Sequence, residues 1–451
     1  MLTFPEGFLW GTATAAHQVE GGNDNNDWWD WESVPGHIKN GDRSTVACDW
    51  WKGARYQGDL DFAQAMHLNA QRFSIEWSRL EPSDGKWDGQ AFAYYRRVLM
   101  AVRQRGMIPL VTLHHFTNPR WLVEKGAWET EAVIPLFERF VGRAVEELGD
   151  LCDFWITINE PNVYLFSGYI NGNWPPGKKN MRLAMRVGQN MIRGHAAAYR
   201  AIHHAQPNAR VGMAHNIHSL YPQNPKSWAN RTLVAFQDRT LNYLIPLALM
   251  DGKLRLPMGV ASQVPEAVGT QDFVAMHYYF SIRIALDWSR PSLLFARELP
   301  PRPWGVSFEN DLQDWFGYGD LDPNGFAEAL KWLARFGKPI YVTENGICDP
   351  TDEIRPRYLV THLAALHRAI QAGAPVHGYF HWSLVDNFEW KEGYSLRFGL
   401  VENDYATQRR TSRGSAQIYG RIVEENGIPD ELCARYGTLE PMTPAATSPT
   451  K

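Results

Sequence analysis

Phe154-Trp155-Ile156-Thr157-Ile158-Asn159-Glu160-Pro161-Asn162 sets a single Glu directly after a short apolar, β-branched and aromatic run. A second stretch, Pro339-Ile340-Tyr341-Val342-Thr343-Glu344-Asn345-Gly346, repeats the arrangement. Short apolar runs of this kind read as parallel strands buried on both faces. A carboxylate at the carboxyl end of a barrel strand sits at the mouth where barrel enzymes carry their chemistry. Two carboxylates facing one pocket are the minimum apparatus for cleaving a glycosidic bond. One protonates the leaving oxygen, and the other stabilises or attacks the anomeric carbon.

Outward from these two segments, short apolar runs alternate with amphipathic stretches. The predicted strands are 8–13, 70–75, 108–113, 154–158, 210–214, 273–276, 340–343 and 376–380. Helical patterns fall at 55–67, 90–105, 131–147, 183–204, 231–249, 325–336 and 357–372. Such alternation implies parallel pairing through crossover helices, and eight units imply a single α/β (β/α)8 TIM barrel with long βα loops. Residues 288–323 are Pro-rich and aromatic and read as a long irregular loop. One domain is expected over 1–437. Residues 438–451, with Pro441, Pro444 and Pro449 among Thr, Ala and Ser, read as a disordered tail.

The 451 residues are 44% hydrophobic and 21% charged, an ordinary soluble composition. A net charge of −4 and scattered Lys and Arg argue against nucleic-acid or anionic-membrane partners. No stretch approaches the ~20 apolar residues that span a bilayer, and no secretory signal is legible. Cys48, Cys152, Cys348 and Cys433 form no CxxC pair and read as reduced thiols of a cytoplasmic protein. The chain carries 19 Trp. Those in Trp28-Trp29-Asp30-Trp31 and Trp50-Trp51 sit in polar surroundings, where they either anchor loops or stack on sugar rings; loop anchoring is the more ordinary role for any one of them.

The two Glu segments resemble the acid/base and nucleophile motifs of glycoside hydrolase family 1, the β-glucosidase family. Three more segments extend the resemblance in the family's order. They are the N-terminal signature from Phe4 through Trp10-Gly11-Thr12 to Gln18-Val19-Glu20-Gly21, then Arg72-Phe73-Ser74-Ile75-Glu76-Trp77, and then Asp386-Asn387-Phe388-Glu389-Trp390. The resemblance implies a retaining β-glycosidase without a cofactor, with Glu160 as acid/base and Glu344 as nucleophile. It implies that Arg72 and Tyr279 support the nucleophile and that Asn159 binds the sugar 2-hydroxyl. Gln18 and Glu389 would share the 3- and 4-hydroxyls, His115 would bind the 3-hydroxyl, Trp382 would lie under the ring, and Trp390 would complete the subsite. The expected partners are small β-glycosides or oligosaccharides. An acidic Glu389 would repel a phosphate, so the substrate is expected to be unphosphorylated, with Lys391 the one residue on the other side of that argument.

The chain departs from the family pattern at several places. His277 stands where Asn is usual, Phe116 where Trp is usual, and His17 where Tyr is usual. Gly319 falls where a Trp often walls the leaving-group site, with Tyr318 or Trp315 as substitutes. These differences bear on leaving-group preference. Two other classes fit the sequence less well. A non-catalytic sugar- or protein-binding relative would lack one of the two carboxylates, and both are present. A metal-dependent barrel hydrolase would need a ligand cluster on several strand ends. The adjacent His114 and His115 point to opposite faces of a strand and do not supply one, so no metal is expected.

Overall fold

A computed structural model describes residues 1–255, 263–300 and 320–437. The expected tail, 438–451, lies outside the described residues. Eight parallel strands close into a barrel. In chain order they are β1 (Leu9–Ala13), β2 (Ala70–Ser74), β3 (Ile108–His114), β4 (Phe154–Asn159), β5 (Arg210–Asn216), β6 (Val274–His277), β7 (Ile340–Asn345) and β8 (Val376–Trp382). Each pairs with its sequence neighbour, and β8 closes the ring on β1.

Alternation along each strand divides the core into two clusters. Phe154 and Ile156 of β4 pack with Leu110, Ala214, Phe273, Tyr341 and Phe380 inside the barrel. Trp155 and Ile158 pack outward with helix residues such as Phe137 and Ala144. Small residues make room for large ones on neighbouring strands. A Cβ on Gly11 would lie 2.5 Å from the Phe380 ring, so only glycine fits there. Both strand faces are therefore apolar, which is why the strands read as continuous apolar runs.

Six of the eight strands run one or two residues past their predicted carboxyl ends, through His114, Asn159, Asn216, His277, Asn345 and Trp382. The apolar run stops where the barrel opens, but the ladder continues, so polar residues at strand ends project into the mouth. Helices fall close to the expected places, at Tyr56–Ala65, Gly89–Gln104, Val133–Leu148, Met181–Ala205, Pro323–Leu333 and Arg355–Gln371. The pattern at 231–249 is instead two helices, Trp228–Leu241 and Leu244–Asp251. Asn242 breaks between them, its side chain bonded to the backbone of His218 and to Asp238. The expectation of an irregular loop over 288–323 needs correction in its first part. Ala296–Glu298 pairs antiparallel with Ser281–Leu286, which also pairs with Ser219–Pro222, giving a three-stranded side sheet. The strand at 296–298 is too short to show a periodicity. Residues 301–319 lie outside the described residues.

The ends of β7 and β8 are held close enough that a Cβ on Gly346 would lie 1.9 Å from the Trp382 carbonyl oxygen. Gly346→Ala must therefore push apart the strand ends that carry Glu344 and Trp382. The expected cost is about 1–3 kcal/mol, together with lower activity. Chemical denaturation and a glycosidase assay on the same preparation check this, and an unchanged unfolding midpoint would contradict the close contact.

Candidate active site

The mouth is built around Arg72, which is completely buried on β2. Its guanidinium donates to Glu344 Oε1 and to the Thr343 carbonyl oxygen on β7. It also donates to Asn159 Oδ1 at 2.5 Å on β4 and to Thr112 Oγ1 at 3.1 Å on β3. The second Glu344 oxygen accepts from the Tyr279 hydroxyl at 2.5 Å. Glu344 is thus a buried carboxylate held by a cation and a hydroxyl.

Glu160 stands in different surroundings. It occupies the turn between β4 and the short helix Pro161–Leu165, in the left-handed region at φ 41° and ψ 60°. Such a backbone is costly for a non-glycine residue and persists only where its neighbours enforce it. Here the Glu160 N–H donates to the Ala214 carbonyl of β5 at 3.0 Å, and Pro161 fixes the first helical position, where no N–H is needed. Glu160 Oε1 accepts from Asn216 Nδ2 at 2.7 Å and lies 2.7 Å from His277 Nδ1. Burial pushes its carboxyl up to about 7, against a smaller opposing effect of Asn216 and Arg72. One oxygen of Glu160 and one of Glu344 lie within 4.8 Å of each other.

The remaining residues marked in the sequence join this pair without a gap. Asn159, its oxygen held by Arg72, turns its amide nitrogen to His115 Nε2 at 3.3 Å. The His115 ring lies nearly parallel to those of Trp382 and Trp390, with centroids 6.4 and 5.9 Å away. Glu389 accepts from Trp382 Nε1 and Gln18 Nε2, each at 3.2 Å. Burial pushes the Glu389 carboxyl up to about 8, helped by the nearby negative charge of Glu344 and opposed by the Trp382 hydrogen bond. Two buried polar atoms of the group, Gln18 Oε1 and His115 Nδ1, have no protein partner. Buried groups of that kind normally find one.

Trp28, on the short helix Asp27–Glu32, and Trp50 are both buried. Trp28 packs behind Trp390 with centroids 4.5 Å apart, and Trp50 donates to Asp59. Phe116 sets its edge against Trp390 at 5.2 Å, and the His17 ring stacks on Trp390 at 5.7 Å. Gly319, Tyr318 and Trp315 lie outside the described residues. Two residues without an assigned role at the sequence level belong to the centre, Asn216 and His277. Both lie just past an apolar strand run, His277 directly after Met276 and Asn216 two residues after Ala214, where the ladder continues beyond the apolar signal.

Glu160, His277 and Glu344 each bring a ligand atom within 4.8 Å of the others, a spacing that a cation could span. The donor set argues against one. Arg72 can only donate, so His277 Nε2, 3.2 Å from its Nη1, accepts. The ring proton then sits on Nδ1, the atom facing both carboxyls, and a protonated nitrogen is no ligand. His114, on β3 next to His115, is turned to Asn118 and Trp128.

A closed parallel barrel with a buried carboxyl pair and a ring of aromatic and amide groups at its mouth defines a glycoside-hydrolase type of α/β barrel. The chain belongs to glycosyl hydrolase family 1, whose sequence model matches residues 1–428. It is 33% identical over 456 residues to β-glucosidase A of Thermotoga maritima, covering 95% of this chain and 99% of that one. It is 31% identical to a β-galactosidase of Sulfolobus acidocaldarius, covering 96% and 97%. Among solved structures it resembles a β-glycosidase from Pyrococcus horikoshii with a TM-score of 0.88, 38% identity and coverage of 97% and 99%. It also resembles the Thermotoga maritima β-glucosidase in complex with glucoimidazole, with a TM-score of 0.87, 30% identity and coverage of 95% and 100%.

Removing the central cation should be costly. Arg72→Met leaves Glu344 and Asn159 buried without their main partner, and breaking a buried ion pair from one side costs about 3–5 kcal/mol. A thermal melt should show a lower midpoint together with lost activity. A midpoint equal to that of the wild type would mean that the pair is not buried as described.

Proposed function

We propose that the protein is a retaining β-glycosidase that removes sugars from the non-reducing end of unphosphorylated β-glycosides and oligosaccharides. The observation that carries this reading is the close carboxyl pair in unlike surroundings. Retaining enzymes hold their two carboxyls about 5–5.5 Å apart, and inverting ones ~6.5–9.5 Å to admit a water. An oxygen-to-oxygen approach within 4.8 Å fits the first class.

The roles follow from the surroundings. Glu344, held by Arg72 and Tyr279, attacks the anomeric carbon. Glu160, raised to about 7, carries a proton at slightly acid pH and gives it to the leaving oxygen. Once Glu344 is bonded to the sugar its negative charge is gone, so Glu160 ionises more readily and activates the water that releases the sugar. Asn159 takes the 2-hydroxyl, whose hydrogen bond strengthens in the oxocarbenium-like transition state. Gln18, His115 and Glu389 take the 3- and 4-hydroxyls, and Trp382 and Trp390 supply apolar faces. The partnerless Gln18 Oε1 and His115 Nδ1 support a ligand rich in hydroxyls. Glu389 already accepts from Gln18 and Trp382 and offers a phosphate no cationic partner, and Lys391 Nζ lies 3.3 Å from Glu392. The names of the relatives, β-glucosidase and β-galactosidase, support a gluco- or galacto-configured substrate. Among the described residues no helix is long and apolar enough to cross a membrane. All four cysteines are free, and on that ground we assign the protein to the cytoplasm.

Proton NMR of the sugar first released from a β-glycoside should show the β-anomer; the α-anomer would sink the mechanism. In kcat/KM against pH, the basic limb should lie near 7 on 4-nitrophenyl β-glucoside. The acid must be protonated to act, so activity falls as pH rises through that value, about tenfold per unit beyond it. Mutation should separate the two carboxyls. Glu160→Ala should still release 4-nitrophenolate in a burst and then stall, and azide should restore turnover with a β-glycosyl azide. Glu344→Ala should be inactive without azide and give the α-azide with it. Azide products of one configuration from both variants would remove the role assignment.

A further inference from the structure

Two donors converge on the same oxygen of Glu160. Asn216 Nδ2 and His277 Nδ1 both lie 2.7 Å from Oε1. His277 is completely buried, and its Nδ1 also lies 3.5 Å from Oε1 of Glu344. On the far side of the ring, Nε2 faces Arg72 Nη1 at 3.2 Å. A guanidinium has no lone pair to offer, so Nε2 accepts and the ring proton lies on Nδ1.

We propose that neutral His277, its tautomer fixed by Arg72, is a positioning residue that works with Asn216 to pin Oε1 of Glu160. The exchanged proton is thereby assigned to Oε2. This rests on the reading of Glu160 as the acid/base. With Oε1 occupied by two donors, the proton given to the leaving oxygen departs from Oε2. The proton taken from water in the second step returns to that same atom, so the balance closes over a turnover. A donor to a carboxylate favours its charged form, so His277 assists chiefly in the second step, when Glu160 is ionised. Neutral imidazole in this tautomer offers one acceptor toward Arg72 and one donor toward Glu160. A primary amide offers the same couple, and that accounts for a His at a position where Asn is usual in the family.

The charged and titratable groups facing this pair come from most of the barrel. They are Arg72 on β2, His115 after β3, His215 on β5, Tyr279 after β6, Glu344 on β7 and Glu389 after β8. Burial, opposed by Glu344 and aided by Arg72, pushes the His277 imidazole down to about 3, so it is neutral throughout the working range. Its contribution is a fixed dipole rather than a titrating charge.

The test compares wild type, His277→Asn and His277→Leu on 4-nitrophenyl β-glucoside. Leu removes the donor, so the ionised form of Glu160 loses support and the basic limb of kcat/KM should move up by about one pH unit. Deglycosylation should slow about tenfold, seen as a 4-nitrophenolate burst with kcat and KM falling together. His277→Asn should keep the limb within a few tenths of a unit of wild type. A Leu variant whose profile overlays that of wild type, or an Asn variant displaced as far as Leu, would overturn the proposal, since a space-filling role moves neither limb. Nitrogen-15 NMR of histidine-labelled wild type, with the His277 signal assigned by its loss in the Asn variant, reads the tautomer directly and needs no folded Leu variant. A proton on Nε2, or an imidazolium at pH 6, would also overturn it. Glu160→Ala with azide tests the acid/base reading separately. If that rescue succeeds while the Leu variant shows no shift, only the role of His277 fails.

Discussion

The carboxyl pair and the groups around it take their orientation from one buried cation. Arg72 has no access to solvent, and its donors are distributed over Glu344, Asn159, Thr112, Thr343 and His277. Those partners sit on four different strands, so the guanidinium sets where the strand ends lie relative to one another. A planar fork with five fixed donors can do this; a lysine ammonium cannot. The arrangement is stable only when complete, because taking the charge out of water costs several kcal/mol that its partners must return. Arg72 is thus a condition of the fold as well as of the site. It orders Asn159 toward His115 and His277 toward Glu160 by determining which atom of each can accept.

The barrel supplies the rigidity this demands. Its interior is filled by Phe154, Phe273, Tyr341 and Phe380, with glycine at 11 where a neighbouring ring must enter. A packed interior fixes the strand ends, and strand ends position side chains more accurately than free loops. The one strained element, the left-handed backbone of Glu160, is anchored to β5 through its own N–H and followed by a proline. Neighbouring structure holds the strain, and the carboxyl is aimed across the mouth as a result.

How much of this is legible in the sequence depends on what generates each feature. The eight apolar runs are visible because both faces of each strand are buried, which suppresses the polar alternation of a half-exposed sheet. Glu160 and Glu344 stand out because a charge follows directly on such a run. Asn216 and His277 do not. The apolar signal ends at 214 and 276, while the ladder continues into residues whose polarity reflects the site they face. The break at Asn242 is hidden because the apolar period carries through it, and only a tertiary bond to His218 shows why the chain turns there. The strand at 296–298 is specified by its partner, Ser281–Leu286, and not by any pattern of its own. The tautomer of His277 is set by an arginine 205 positions away, beyond any local rule.

Charge balance at the mouth follows from the same constraint. Three buried carboxyls, Glu160, Glu344 and Glu389, surround a single guanidinium, and the nearby histidines are held neutral by burial. Arg72 lies directly on Glu344 and satisfies it. Without a cation of their own, the other two carboxyls are pushed up to about 7 and about 8. Below about pH 7 the site therefore holds protons on Glu160 and Glu389. In the retaining mechanism proposed above, that distribution would place a donor at the leaving oxygen and a second donor at the sugar hydroxyls. The unlike surroundings of two chemically identical side chains thus follow from where the Arg72 guanidinium lies.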